Sequence, residues 1–108
     1  MSYKIIPTPP FERELKRLAK KYPSIKKDIS ALAIELELNP NLGVSLGNNC
    51  FKVRMAVSSK SKGKSGGARV ITYVQVVNKN IFLIAIYDKS EMENLSDRDI
   101  QARLRFIR

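Results

Sequence analysis

Hydrophobic spacing changes period near residue 45, and that change sets the expected architecture. Tyr3–Ile6 is a short apolar run closed by Pro7, Pro9 and Pro10, which predicts an opening strand. Thr8 followed by two prolines reads as a helix start, because proline is tolerated in the first turn, where its missing N–H has no partner to lose. Phe11, Leu15, Leu18 and Tyr22 then recur at helical spacing, with Arg13, Lys16, Arg17, Lys20 and Lys21 on the remaining faces. Pro23 ends that helix. Ser24 is placed to cap a second, whose apolar face is Ile25, Ile29, Leu32, Ala33 and Leu36. The short break predicts a helical hairpin, stopped by Asn39-Pro40-Asn41 and Gly43.

Beyond this point the period is two. Phe51, Val53, Met55 and Val57 alternate with Lys52, Arg54 and Ala56, as in a strand buried on one side. Arg69–Val77 predicts a second such strand, and Ile81–Tyr87 is apolar throughout, as in a strand buried on both faces. Asn78-Lys79-Asn80 between them predicts the turn. Ser96-Asp97-Arg98-Asp99 is a capping-box pattern with Asp in the Glu position. Leu95 is placed to staple onto Ile100, and Ile100, Leu104 and Ile107 form the apolar face of a last helix. The expected fold is α+β, in the order β-α-α-β-β-β-α, with a two-helix hairpin on a mostly antiparallel sheet. At 108 residues, 1–108 is a single domain with one modest core.

If Asn78–Asn80 form a three-residue loop, Val77 faces Ile81, Ile71 faces Tyr87 and Arg69 faces Lys89. Paired residues share a side of a sheet, so Arg69, Tyr73, Tyr87 and Lys89 would converge, joined by Lys52 or Arg54 from the preceding strand. A two-residue turn would shift the register by one and separate them.

Composition narrows the chemistry. The chain carries a net charge of +10, and no Asp or Glu occurs between Leu38 and Tyr87, where Lys52, Arg54, Lys60, Lys62, Lys64, Arg69 and Lys79 all fall. Ordinary surfaces mix both signs, so this pattern favours a phosphate-binding face. There is no histidine, which removes Ser-His and Cys-His nucleophiles. Cys50 stands alone, so no disulfide framework or thiolate metal site is expected. The basic middle of the chain lacks the clustered carboxylates that a phosphoryl-transfer metal needs, and neither a metal nor an organic cofactor is expected. Gly63-Lys64-Ser65 echoes a P-loop, but Ser58 stands where its first glycine belongs and a strand follows instead of a helix. Gly66-Gly67 is better placed as a positive-φ entry to the strand. The N-terminus lacks the pattern of a signal peptide, and Ile81–Tyr87, the longest apolar run, is too short to cross a membrane. A cytoplasmic protein without membrane contact is expected.

What remains is metal-free chemistry on a polyanion by Lys, Arg and Tyr, and RNA suits it. Its 2′-hydroxyl attacks the adjacent phosphate once a base removes the proton and cations stabilise the developing charge. A lysine becomes such a base when crowding among cations lowers its pKa. Arginine stays charged and suits the transition state, and tyrosine stacks on a base or donates to the leaving oxygen. DNA has no such internal nucleophile.

Lys64–Tyr73 (KSGGARVITY), Ile86–Glu91 (IYDKSE) and Glu93–Leu95 (ENL) resemble the RelE/ParE toxin superfamily, most closely the HigB-like branch of RelE toxins from type II toxin–antitoxin modules. The expected order of elements is similar to that fold along essentially the whole chain. The resemblance implies a ribosome-dependent mRNA interferase that cuts codons in the ribosomal A site and is neutralised by an acidic cognate antitoxin in a hetero-oligomer. It also implies that Arg69 stabilises the scissile phosphate and transition state, with Lys62 or Lys64 as base. Lys89 would be a second cation and Tyr87 the stacking or proton-handling aromatic, since the C-terminal stretch Arg103–Arg108 has no tyrosine. Arg54 is a further candidate, while Lys52, Lys60 and Tyr73 would be RNA contacts. Asp88, between Tyr87 and Lys89, is placed to pair with Lys89 and blunt it. Two other functions stay open: a gyrase poison of the same superfamily that cuts nothing, and a non-catalytic RNA-binding module.

Overall fold

The structure is a computed structural model that describes residues 3–60, 66–92 and 94–107. Five strands form one sheet: β1 (Lys4–Pro7), β2 (Val44–Gly47), β3 (Cys50–Met55), β4 (Ala68–Gln75) and β5 (Asn80–Asp88), in the order β1-β5-β4-β3-β2. β1 runs parallel to β5 and every other pairing is antiparallel. Helices α1 (Pro9–Lys21) and α2 (Ile25–Leu38) cover one face of the sheet. The short helix α3 (Asp97–Leu104) covers the other. No helix among the described residues is long and apolar enough to cross a membrane.

Strand alternation divides the apolar side chains between two layers. Val53, Met55, Val70, Val74, Leu83 and Ile86 pack with Phe11, Leu18, Leu32 and Leu36 of the helical hairpin. Cys50, Ile71, Ala85 and Tyr87 pack with Ile100 and Leu104 of α3. α3 begins as its sequence predicts: the Ser96 hydroxyl accepts the Asp99 N–H at 3.2 Å, and Leu95 packs in the same layer as Ile100. The other two candidate caps work differently. Thr8 leaves the α1 N–H groups alone and donates its hydroxyl to the Leu83 carbonyl at 2.9 Å, tying the helix start to β5. Ser24 donates to Asp28 at 2.9 Å, and Asp28 also accepts the Ser58 N–H at 3.0 Å and the Ser58 hydroxyl at 2.7 Å. The first turn of α2 therefore holds a 3-10 turn, Ser58–Lys60, that follows β3.

The sheet departs from the sequence expectation in four places. β2 is an additional edge strand, so the order is β-α-α-β-β-β-β-α; Asn48 and Asn49, at φ 52° and 62°, form the two-residue turn into β3. β4 ends at Gln75 rather than Val77, because Gln75 pairs with Asn80 and its side chain accepts from the Asn80 amide at 2.8 Å. The connection is therefore the four residues Val76–Lys79, with Lys79 at φ 53°, and Val74 rather than Val77 faces Ile81. Between Ile71 and Thr72 the register slips by one, leaving Ile84 without a partner on β4. The last departure concerns Gly67, whose φ is not positive. A Cβ there would stand 2.1 Å from the Met55 carbonyl oxygen, so close approach to β3 is what requires glycine.

Candidate active site

The turn and the bulge together decide which side chains meet. With the four-residue turn alone, Arg69 would face Ile86 and Tyr87 would point to the helical hairpin. The extra residue at the bulge advances β5 by one and sets Tyr87 directly opposite Arg69. On its other side Arg69 is opposite Arg54 of β3, so Arg54, Arg69 and Tyr87 form one row across three strands. Lys52, Ile71 and Ala85 form the next row on the same face.

Two like charges directly opposite one another are unfavourable, and here one is almost out of water. Arg69 is 4% exposed, whereas Arg54 is exposed. Burial, and after it the facing Arg54 charge, pull the Arg69 guanidinium below its ordinary value, with Tyr87 working in the opposite direction. It remains a cation at neutral pH, since arginine does not deprotonate in proteins. Arg69 Nη1 donates to the Ala68 carbonyl at 3.3 Å, which turns the guanidinium back along its own strand.

Tyr87 is 2% exposed. Burial pushes its phenol up, and the Leu95 backbone and the Arg69 charge only partly counter this, so the ring is a neutral O–H at physiological pH. The Leu95 backbone lies close enough to favour the phenolate without making a formed hydrogen bond, and the buried hydroxyl has no hydrogen-bond partner among the described residues. A buried neutral phenol directly across the sheet from a guanidinium has the chemistry to donate a proton close to a positive charge. Lys52 stands at the rim, half-buried, with its ammonium donating to Asn94 at 3.0 Å.

The remaining candidates divide. Tyr73 shares the face but lies four residues along β4 from Arg69, roughly 13 Å at strand spacing. It stacks on Phe82, with ring centroids 6.1 Å apart. Lys89 does not pair with Arg69. It is exposed beyond the end of β5, and its backbone N–H donates to the Gly67 carbonyl at 3.2 Å. Lys62 and Lys64 lie outside the described residues.

Lys60, expected as an RNA contact, is engaged within the fold instead. Its side chain is 9% exposed and its ammonium lies 2.5 Å from Asp88 on the helical-hairpin side of the sheet. Asp88 likewise pairs with Lys60 and not with Lys89. The Asp88 carboxylate accepts from the Tyr22 hydroxyl at 2.5 Å and from the Ser90 N–H and hydroxyl at 3.0 and 2.8 Å. Burial alone would raise its carboxyl, but Lys60, Tyr22 and Ser90 together hold it well below the usual carboxylate range. Nothing in the local sequence signals this cluster, because Tyr22 and Lys60 reach Asp88 across 66 and 28 residues of chain. Asn94 entered the sequence reading only within the ENL motif, with no role given to its side chain.

A second ion pair closes the outer edge of β5 past the end of β1. Glu14 accepts from Arg103 at 2.8 Å and from the Ile86 N–H at 3.1 Å, and Arg103 donates to the Ile84 carbonyl at 2.8 Å. No group of side chains that could hold a metal ion occurs among the described residues.

The chain's sequence matches the profile of the family described as RelE toxin of the RelE/RelB toxin–antitoxin system over residues 11–106. Its fold is similar to that of a mutant E. coli RelE toxin in the free state, with a TM-score of 0.63 at 16% identity and the whole of both chains covered. It is also similar to the isolated E. coli RelE toxin, with a TM-score of 0.58 at 18% identity over 97% of this chain and 99% of the other.

Proposed function

The chain belongs to the RelE toxin family, and on that premise we propose that it is a metal-independent endoribonuclease that cuts mRNA in the ribosomal A site and is neutralised by an acidic antitoxin. The observation that carries this reading is the row Arg54–Arg69–Tyr87, in which two cations and a neutral phenol share one face of the sheet. Their chemistry is that of charge stabilisation and proton donation, with no metal ligand among them.

The 2′-oxygen of the substrate attacks the adjacent phosphorus as its proton passes to a base, for which Lys62 or Lys64 is the candidate. The bond from phosphorus to the 5′-oxygen breaks, and Tyr87 donates its proton to that leaving oxygen. Arg69 and Arg54 hold the non-bridging oxygens, whose negative charge grows in the transition state. Lys52 and Lys89 steer the strand, and Tyr73 is left as an outlying RNA contact. Tyr87 offers no free ring for stacking, so its part is the proton.

Burial of Arg69 and Tyr87 gives a physical reason for dependence on the ribosome. Free RNA does not reach a site that is 2–4% exposed. Leu95, whose backbone lies beside Tyr87, must draw back first, and contacts in the A site supply the energy. A net charge of +10 suits both ribosomal RNA and an acidic antitoxin, and the setting is the cytoplasm.

The test is induced expression without antitoxin, comparing the parent with Arg69→Ala and Tyr87→Phe and mapping mRNA 5′ ends. The reading expects growth arrest with in-frame cuts, which disappear in Arg69→Ala and weaken in Tyr87→Phe. Arrest with intact mRNA would overturn it in favour of topoisomerase poisoning. Ample protein without arrest would leave an RNA-binding module.

A further inference from the structure

The outward side of α1 carries a second charged surface that the cleavage row does not use. Phe11, Leu15 and Leu18 face the core, which leaves Arg13, Lys16 and Lys20 exposed on the opposite side of the helix. They follow one another at spacings of three and four residues and so form a single ridge, about 10 Å long at the rise of an α-helix. None of the three forms an ion pair with a described residue, whereas their neighbours Arg17 and Lys21 do, at 3.5 Å and 3.9 Å from Glu91. Glu12 flanks the ridge, and Glu14 is occupied by Arg103.

A separate feature stands at the N-terminal end of this ridge. Pro9, Pro10, Arg13 and Phe106 line a cleft of about 310 Å³. Phe106 is 83% exposed. A flat aromatic ring, a guanidinium plane and two proline rings around an open cleft make a stacking platform for an unpaired base.

We propose that the α1 ridge and the Phe106 cleft form a docking face for folded RNA: the ridge follows the phosphate backbone and the cleft receives an unpaired base. This inference rests on the reading of the chain as an RNA-directed toxin. The surface itself favours RNA over an acidic protein. No apolar side chain lies among Arg13, Lys16 and Lys20, so a protein partner would be held there by exposed ion pairs, which contribute little. A phosphate backbone gains from the same cations by releasing its condensed counterions. The ridge lies on the hairpin side of the sheet, opposite the face that carries Arg54 and Arg69, so one RNA molecule or assembly can occupy it while a separate strand is cut.

The test is fluorescence anisotropy with the full-length chain and a fluorescein-labelled RNA hairpin, 2′-O-methylated throughout so that it cannot be cut, with unpaired purines in its loop. The triple variant Arg13→Glu/Lys16→Glu/Lys20→Glu should weaken binding at least tenfold. It should also flatten the slope of log affinity against log salt by about 2 to 3, at roughly 0.7–0.9 per phosphate contact. Phe106→Ser should weaken binding by roughly five- to a hundredfold with the salt slope unchanged. The control triple Lys4→Glu/Lys27→Glu/Lys79→Glu, which makes the same change in net charge on other exposed cations, should weaken it far less.

Equal loss in both triples would mean that only net charge matters and would overturn the proposal. An unchanged Phe106→Ser would remove the cleft from it. Displacement of the RNA from the parent, but not from the α1 triple, by an equal charge concentration of polyglutamate would assign the ridge to an acidic protein instead. The RNA is uncleavable and the site row is untouched, so failure here leaves the cleavage reading standing.

Discussion

Tyr87 and Asp88 are neighbours in sequence and, because successive residues of a strand point to opposite faces, they open onto two different environments. On the hairpin side, Asp88 is enclosed by Lys60, Tyr22 and Ser90, and every charge has its complement. On the α3 side, Tyr87 has an unused hydroxyl and looks across at Arg69, which itself faces Arg54. Both clusters are buried and both have displaced titration behaviour, but the displacements have opposite meanings. Asp88 is shifted by partners that stabilise its charged form, which marks a structural pin between β5, the end of α1 and the turn after β3. Arg69 and Tyr87 are shifted chiefly by burial, which works against the Arg69 cation, as the facing Arg54 charge does, and keeps the Tyr87 phenol neutral.

The largest expected effect breaks the comparison from the matched side. Asp88→Ala leaves the Lys60 ammonium buried without its partner, so stability should fall by about 3–5 kcal/mol. Urea unfolding of the purified variant measures it, and a loss below roughly 1 kcal/mol would show that the cluster is not a pin. Next comes the row on the α3 side. Arg69→Met keeps the length of the side chain and removes the charge. Cleavage should fall by roughly a hundred- to a thousandfold, the usual loss for one preorganised stabiliser of transition-state charge. Its stability should stay within about 1 kcal/mol of the parent, because relief of the Arg54–Arg69 repulsion offsets the contacts that are lost. A variant that unfolds as readily as Asp88→Ala would mean that Arg69 is structural as well.

Much of the fold was legible in the sequence because its signals are local. Helical spacing from Phe11 to Tyr22, the alternation through Val53 and Met55, and the Ser96 cap each depend on residues within a few positions of one another. β2 went unmarked because its four residues are all exposed at the edge of the sheet, leaving no buried alternation, although the Asn48-Asn49 pair did carry a hairpin signal. The candidate site was suggested by composition, and its geometry was only partly legible. Arg69 and Tyr87 do share a face, but they meet through a four-residue turn and a bulge at Ile84, not through the three-residue turn that Asn78–Asn80 suggested. Two register changes largely compensated for each other. Lys60 read as an RNA contact because its partner is distant in sequence, and only the folded chain brings Asp88 to it.

A finer cut at the matched cluster is Tyr22→Phe. The ring stays, the lysine pair stays, and only the hydroxyl that donates to Asp88 at 2.5 Å is removed. A hydrogen bond to a charged group contributes about 1.5–3 kcal/mol, so the loss should be clearly smaller than for Asp88→Ala. Combined with Lys60→Met, the effects should be non-additive, since both groups serve one carboxylate. Additive losses would show that Tyr22 and Lys60 act on different things.

The smallest effects per step, and the ones that best separate the two faces, come from pH. Asp88 has a folded-state pKa below its unfolded value of about 3.9, so its contribution is fully present above that pH and is lost as pH falls. Between pH 7 and 5 the stability difference between the parent and Asp88→Asn should be constant. Below about pH 4 it should narrow by at most about 1.4 kcal/mol per pH unit, because the unfolded chain takes up a proton that the folded one refuses. Tyr87 has the opposite sign. Its phenol is raised above the ordinary value of about 10, so its contribution is complete below that pH and declines as pH rises through the folded value. Tyr87→Phe should therefore remove part of the alkaline decline and leave the acid limb unchanged, while Asp88→Asn should do the reverse. If both variants altered the same limb, the two faces would be one coupled cluster, and the separation of a structural pin from a reactive row would fail.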